Sequence, residues 1–309
     1  MAATETNSIG LDPRLRGDER MRHGASTAKR SVAVIIPTFN EAESIGAVVA
    51  GLPRDVVSRV IVVDGGSSDG TRERAKDAGA EVIAVDRGYG LACLTGAQAA
   101  ANTDILVYID GDGADDSAAI AALIAPIEAA TCDFVIASRA RGNCEPGSMS
   151  WHQLLAGRVI GALIGLLYGA RYTDMCALRA IRRDTLLKLG MREMTYGWNL
   201  EMQMRAARAH LRVREVPVDY RCRIGGVSKV AGSLSGSLKA GAKILSTFAR
   251  IALEPRSSFR SAAQRRIRNP YPRPSWPWIP GSHDAHASRN DATCDWKPCN
   301  SGDEVLGDG

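Results

Sequence analysis

Apolar residues run almost unbroken through five short stretches: SVAVIIP (31–37), RVIVVDG (59–65), AEVIAV (80–85), DILVYID (104–110) and CDFVIASR (132–139). Runs of this length, rich in Val and Ile, predict strands buried on both faces of a sheet. Between them, EAESIGAVVAGL, GTRERAKDAG and GLACLTGAQAAANT carry helical spacing, and the third is expected to end before Asp104. Strands alternating with helices predict βαβ units, hence an α/β fold with a mostly parallel central sheet. No repeat of solenoid length is present. After Lys229, apolar residues at Val230, Leu234, Leu238, Leu245, Phe248 and Ala252 fall on one helical stripe with Lys239, Lys243 and Arg250 beside it, which predicts a basic amphipathic helix over 230–253.

The flanks lack such periodicity. Residues 1–30 are polar and basic without an apolar stretch, so they are expected to form a disordered leader rather than a secretory signal, and Met21 offers a second start. Residues 254–309 hold seven of the 13 prolines and show neither a 2.0 nor a 3.6 period, so this tail is expected to be disordered as well.

Candidate chemistry collects where strands stop, because ligands of open α/β sheets bind outside the carboxyl ends of the strands. Asp64 ends the second run and Asp110 the fourth. In YIDGDGADD, Asp110 and Asp112 flank Gly111, so one tight turn can present two carboxylates to a hard divalent cation that bridges phosphate oxygens. In VVDGGSSDGT, Asp64 is expected to be free for a ligand, while Asp69 and Thr71 open the next helix. The run IIPTFNEAESI leaves Phe39 and Glu41 at the mouth of the sheet.

Taken together and in order, IIPTFNEAESI, VVDGGSSDGT, Asp110-Gly111-Asp112, ASR (137–139), TDMCALRAIRR, YGWNLEMQMRA, EVPVDYRCR and GGVSK resemble the dolichyl-phosphate mannose synthase-like branch of the family 2 glycosyltransferases. The resemblance spans residues 31–229 and implies a single GT-A domain there. It further implies that Pro37, Phe39, Glu41, Val62, Asp64, Asp110, Gly111, Arg139, Arg223 and Lys229 bind a nucleotide sugar, linked to GDP or UDP. Asp110 and Asp112 would hold Mg²⁺ or Mn²⁺, and Arg139 and Arg158 would meet the phosphate of a polyprenyl or dolichyl acceptor. Asp112 and Glu201 are the expected catalytic residues, Glu201 as base or acceptor-site carboxylate. The chain departs from the family pattern at Gly65, in place of a second aspartate, at CALR (176–179), in place of SGFR, and at Gly113 after the metal motif.

Composition narrows the partners. Lys and Arg number 39 against 34 Asp and Glu, a surplus too small and dispersed to imply nucleic-acid binding. Seven cysteines without a CxxC pair indicate neither a disulfide framework nor a zinc site, and a reducing cytoplasm is the simplest compartment. No stretch approaches the roughly 18 uncharged apolar residues of a membrane span. WHQLLAGRVIGALIGLLYGARYTD is nevertheless similar to the family segment beside the lipid acceptor. With the helix over 230–253, it predicts peripheral contact at the inner face of a membrane.

Three other activities conflict with the motifs. A nucleotidyltransferase making the nucleotide sugar would show a GxGTR-like loop where this chain reads PTFNEAES, and no GxGxxG follows a strand as a dinucleotide dehydrogenase requires. QMRA at 203–206 is not the QxxRW motif of processive synthases. A saccharide or small-molecule acceptor stays open beside the lipid phosphate.

Overall fold

The structure is a computed structural model that describes residues 30–149, 151–225 and 234–255. The leader, most of the tail and the segment carrying Lys229 and Val230 lie outside the described residues.

Each of the five apolar runs forms a strand. They are β1 (Val32–Thr38), β2 (Arg59–Asp64), β3 (Glu81–Ala84), β4 (Ile105–Tyr108) and β5 (Phe134–Ser138). Two further strands, β6 (Arg179–Arg182) and β7 (Val213–Pro217), complete a seven-stranded sheet ordered β3-β2-β1-β4-β6-β5-β7. β6 runs antiparallel between β4 and β5, and the remaining pairs are parallel. Every residue of β1, β4 and β5 is buried, as continuous apolar runs predict. β3 departs from that expectation: it is the edge strand, and its residues are only half-buried or exposed.

Helices cover the sheet because their apolar positions recur on one side. α1 (Ile45–Ala50) buries Ile45, Val48 and Val49, and α2 (Thr71–Asp77) buries Thr71 and Ala75. α3 (Tyr89–Ala99) packs through small residues, so closely that a side chain at Gly90 would meet the backbone of Glu193 and Met194. α4 (Ile120–Glu128), α5 (Trp151–Tyr168), α6 (Arg183–Leu189), α7 (Trp198–Arg208) and α8 (Leu234–Ala252) follow. The core joins Ile35, Ile36, Ile61, Ile105, Leu106 and Phe134, all fully buried, to Trp198 at the start of α7.

α8 packs against α7, and this revises the stripe read from the sequence. Ile251 and Thr247 are buried and Phe248 is half-buried, whereas Leu245 is 67% exposed. The neighbouring cations are engaged within the molecule: Lys243 Nζ lies 3.1 Å from Glu193 Oε1, and Arg250 Nη2 lies 3.5 Å from both Glu193 Oε2 and Glu201 Oε1. These two residues therefore latch α8 to its neighbours.

Candidate active site

Parallel pairing brings the strand ends together. Thr38 at the end of β1 pairs with Asp64 at the end of β2, and β4, on the other side of β1, stops two residues before Asp110. The chain turns from β1 towards β2 on one side while β4 continues the sheet on the other, so a crevice opens at the carboxyl ends of β1 and β4. A cleft of about 470 Å³ lies there. Pro37, Thr38, Phe39, Glu41, Gly65, Asp110, Gly111, Asp112, Arg223 and Ile244 line it.

The turn after β4 is tightly built. Gly113 has φ 77°, and the backbone N–H of Ala114 donates to Asp112 Oδ1 at 3.0 Å. The other Asp112 oxygen lies 3.0 Å from Arg223 Nη2. Asp110 Oδ1 accepts from the Tyr89 hydroxyl at 3.1 Å. Burial raises the Asp110 carboxyl, and the charges of Asp112 and Asp115 add to this, to about 7. Burial likewise lifts Asp115 to about 6, against the pull of Arg139. Among the described residues no group of three or more His, Cys, Asp or Glu forms a complete metal cage. Two clustered carboxylates nevertheless suit Mg²⁺, which usually takes one or two protein carboxylates and completes its shell with phosphate oxygens and water.

A pH dependence follows from these shifts. A carboxyl raised in the folded state binds its proton more tightly there than in the unfolded chain, so the ionised cluster costs stability as pH rises through about 7. A divalent cation relieves that cost. Mn²⁺ is expected to raise the melting temperature at pH 8 more than at pH 6, where Asp110 is largely protonated; thermal melts at the two pH values with and without Mn²⁺ check this.

Several residues expected in the site are engaged elsewhere. Asp64 is fully buried and accepts from the backbone N–H groups of Gly66 (3.2 Å) and Ser67 (2.9 Å) and from the Ser67 hydroxyl. It shapes the turn after β2 and does not face the cleft as a free carboxylate. Asp69 shares this structural role, accepting from Thr71 N at 3.1 Å and Ala42 N at 3.1 Å. Val62 lies two residues inside β2, fully buried in the core, and does not line the cleft. Arg139 donates through Nε and Nη2 to the two oxygens of Asp174, both at 2.8 Å, and stacks over Tyr220 at 4.9 Å. Burial raises the Asp174 carboxyl, but its bonds from Arg139 hold it below the usual range. Arg158 sits exposed on α5, outside the cleft.

Glu201 is the largest correction. Its carboxylate is fully buried on α7 and accepts from Arg192 N at 2.8 Å, Glu193 N at 2.6 Å and Arg205 Nε at 2.9 Å. A group so enclosed anchors α7 to the preceding loop and does not reach a substrate in the cleft.

The cleft also contains residues the sequence reading passed over. Arg87 lies over the Phe39 ring at 4.0 Å, and Tyr89, Thr195, Tyr196 and Asn199 also line the cleft. Arg87 and Tyr89 follow β3, so the strand-end rule that singled out Asp64 and Asp110 also applied to DRGYG. Burial pushes the Tyr89 phenol well above its ordinary range, which keeps it a hydrogen-bond donor.

Residues 33–190 match the family model for glycosyl transferase family 2. An uncharacterized glycosyltransferase of Mycobacterium tuberculosis is 36% identical over 211 residues, covering 67% of this chain and 93% of the relative. An undecaprenyl-phosphate mannosyltransferase of Micrococcus luteus is 33% identical, covering 66% of this chain and 89% of its own. A polyprenol monophosphomannose synthase of Mycolicibacterium smegmatis is 29% identical, with 65% and 81% covered. Among solved structures, glucosyl-3-phosphoglycerate synthase from Mycobacterium tuberculosis in complex with Mn²⁺, UDP and glucosyl-3-phosphoglycerate aligns with TM-score 0.60 at 21% identity, over 74% of this chain and 82% of that one. The sheet described above is the α/β arrangement of the GT-A fold.

Proposed function

The chain belongs to glycosyl transferase family 2, and from that premise we propose that it moves a sugar from a GDP- or UDP-linked donor to a polyprenyl phosphate, with inversion at the anomeric carbon. The nucleotide sugar occupies the cleft at the ends of β1 and β4. Asp110 and Asp112 would hold Mg²⁺ or Mn²⁺, which supplies positive charge to the departing diphosphate. Arg223 projects into the same cleft and adds a fixed guanidinium suited to phosphate oxygens. Lys229, outside the described residues, belongs to this reading as a second phosphate contact.

The observation that carries the lipid half is the outward face of α5. Its inner face is closed by Gly157, Ile160, Gly161 and Ile164, yet Leu155 (52%), Val159 (49%), Leu163 (39%), Leu166 (83%) and Leu167 (47%) stand exposed on the outside. A helix apolar all round calls for an apolar environment on its outer face. Arg158 and Arg171 stand exposed within and just beyond it, where they can meet anionic headgroups. No helix among the described residues is long and apolar enough to cross a membrane, so the contact proposed is peripheral. The burial of Glu201 points the same way: a hydroxyl acceptor needs a general base, whereas a lipid phosphate is already anionic. The polyprenyl-phosphate activities in the names of two relatives support this acceptor class.

Incubation with GDP- and UDP-sugars, Mn²⁺ and either short polyprenyl phosphates or 3-phosphoglycerate, read by mass spectrometry, tests the proposal. A lipid-linked sugar is expected; a glycosylated phosphoglycerate with no lipid product would overturn it. Leu163→Glu with Leu166→Glu should reduce sedimentation with anionic liposomes by an order of magnitude or more, since two charges replace buried apolar contacts. Unchanged sedimentation would remove α5 from the membrane face.

A further inference from the structure

Tyr89 is the one neutral side chain whose hydroxyl is seen bound to a carboxylate of the Asp110–Asp112 pair among the described residues. It opens α3, directly after the loop that leaves β3. Its hydroxyl has one proton and gives it to Asp110 Oδ1 at 3.1 Å. Asn199 lines the same cleft. Asn199 is held in turn, because the fully buried Arg179 donates from Nη1 to its backbone carbonyl at 3.2 Å. Arg179 is fixed by a second bond, from Nε to the Ala177 carbonyl at 3.3 Å.

We propose that Tyr89 is a positioning residue for a divalent cation on Asp110 and Asp112: it fixes Asp110 Oδ1 and leaves Oδ2 to face the cation. The inference rests on the reading that these two carboxylates hold the cation. A hydrogen bond to a ligating carboxylate sets its rotation, and loss of such a partner typically weakens metal binding about 10–100-fold. Tyr89 shares the lining of the cleft with Asn199 of α7 and with Thr195 and Tyr196 just before that helix.

Mn²⁺ binding to the full chain in the presence of UDP or GDP, followed by the loss of the free-ion EPR signal, tests this without any turnover. Tyr89→Phe is expected to weaken Mn²⁺ binding about 10-fold while its metal-free melting temperature stays within a few degrees of wild type. Tyr89→Met, which likewise lacks the hydroxyl, should weaken Mn²⁺ in the same direction. Asp112→Asn serves as the control for the underlying reading. If Asp112→Asn loses Mn²⁺ while Tyr89→Phe binds it as wild type does, the positioning role is wrong and the cation site stands. If Asp112→Asn also binds as wild type, the cation reading falls and the inference with it. Should Tyr89→Phe fail to fold, Tyr89→Met decides, and unchanged affinity there overturns the proposal.

Discussion

Replacing Asp112 by Asn lowers the rate of sugar transfer by about 10²–10³-fold or more, the usual loss when one group that stabilises transition-state charge is removed, and leaves the chain folded. The substitution separates the two tasks of this side chain. Its Oδ1 accepts from Ala114 N at 3.0 Å, and the amide oxygen of Asn can accept the same bond, so the turn around Gly113 survives. What disappears is the negative charge. Asp110 then loses one of the charges that push its carboxyl to about 7, so the variant should not melt below wild type. Arg223 loses its partner at 3.0 Å, but its side chain is one-third exposed and can be solvated, which keeps that cost small. Initial rates across a wide range of Mn²⁺, with a thermal melt of the same sample, check the prediction. Wild-type kcat at saturating Mn²⁺ would exclude Asp112 from the reacting site.

The contrast between Asp112 and Asp64 indicates what a sequence makes legible here. Asp64 ends one apolar run and Asp112 follows closely on another, each beside glycine, and local pattern alone does not separate them. They part company through contacts in space: Asp64 turns both oxygens to Gly66 and Ser67 of its own turn, while Asp112 gives one oxygen to Ala114 N and the other to Arg223, more than a hundred residues away. Strand ends were legible because burial on both faces imposes a continuous apolar run, and the five runs form five of the seven strands. β6 was not, since RAIR is short and carries arginine at both ends, one of them buried by bonds to backbone carbonyls. Arg139 follows the same logic. An arginine at the end of β5 looks available for phosphate until Asp174, 35 residues on, takes both ends of its guanidinium. In each case the missing information was which oppositely charged or hydrogen-bonding group the fold brings alongside.

Glu201→Ala should be the most destabilising single change among the residues expected in the site. Its carboxylate lies at zero exposure, and removing it strands Arg205, itself 1% exposed, 2.9 Å from where the oxygen had been. Breaking a buried pair by deleting one partner costs about 3–5 kcal/mol, because the remaining charge stays desolvated. The N–H groups of Arg192 and Glu193 lose their acceptor as well, and Arg250 on α8 loses one of its two carboxylates. Arg205 keeps some relief from Glu254, whose Oε2 lies 3.3 Å from its Nη2, which holds the loss near the lower end of that range. Glu201→Gln retains an acceptor for the backbone N–H groups and should lose less. Chemical denaturation of both variants, beside the rate per folded molecule, distinguishes this role from that of a general base. A base would show the reverse pattern, with stability barely altered in Glu201→Gln and transfer lost. The buried geometry requires the order Ala, then Gln, then wild type in stability, with transfer by the folded fraction of Glu201→Gln close to wild type.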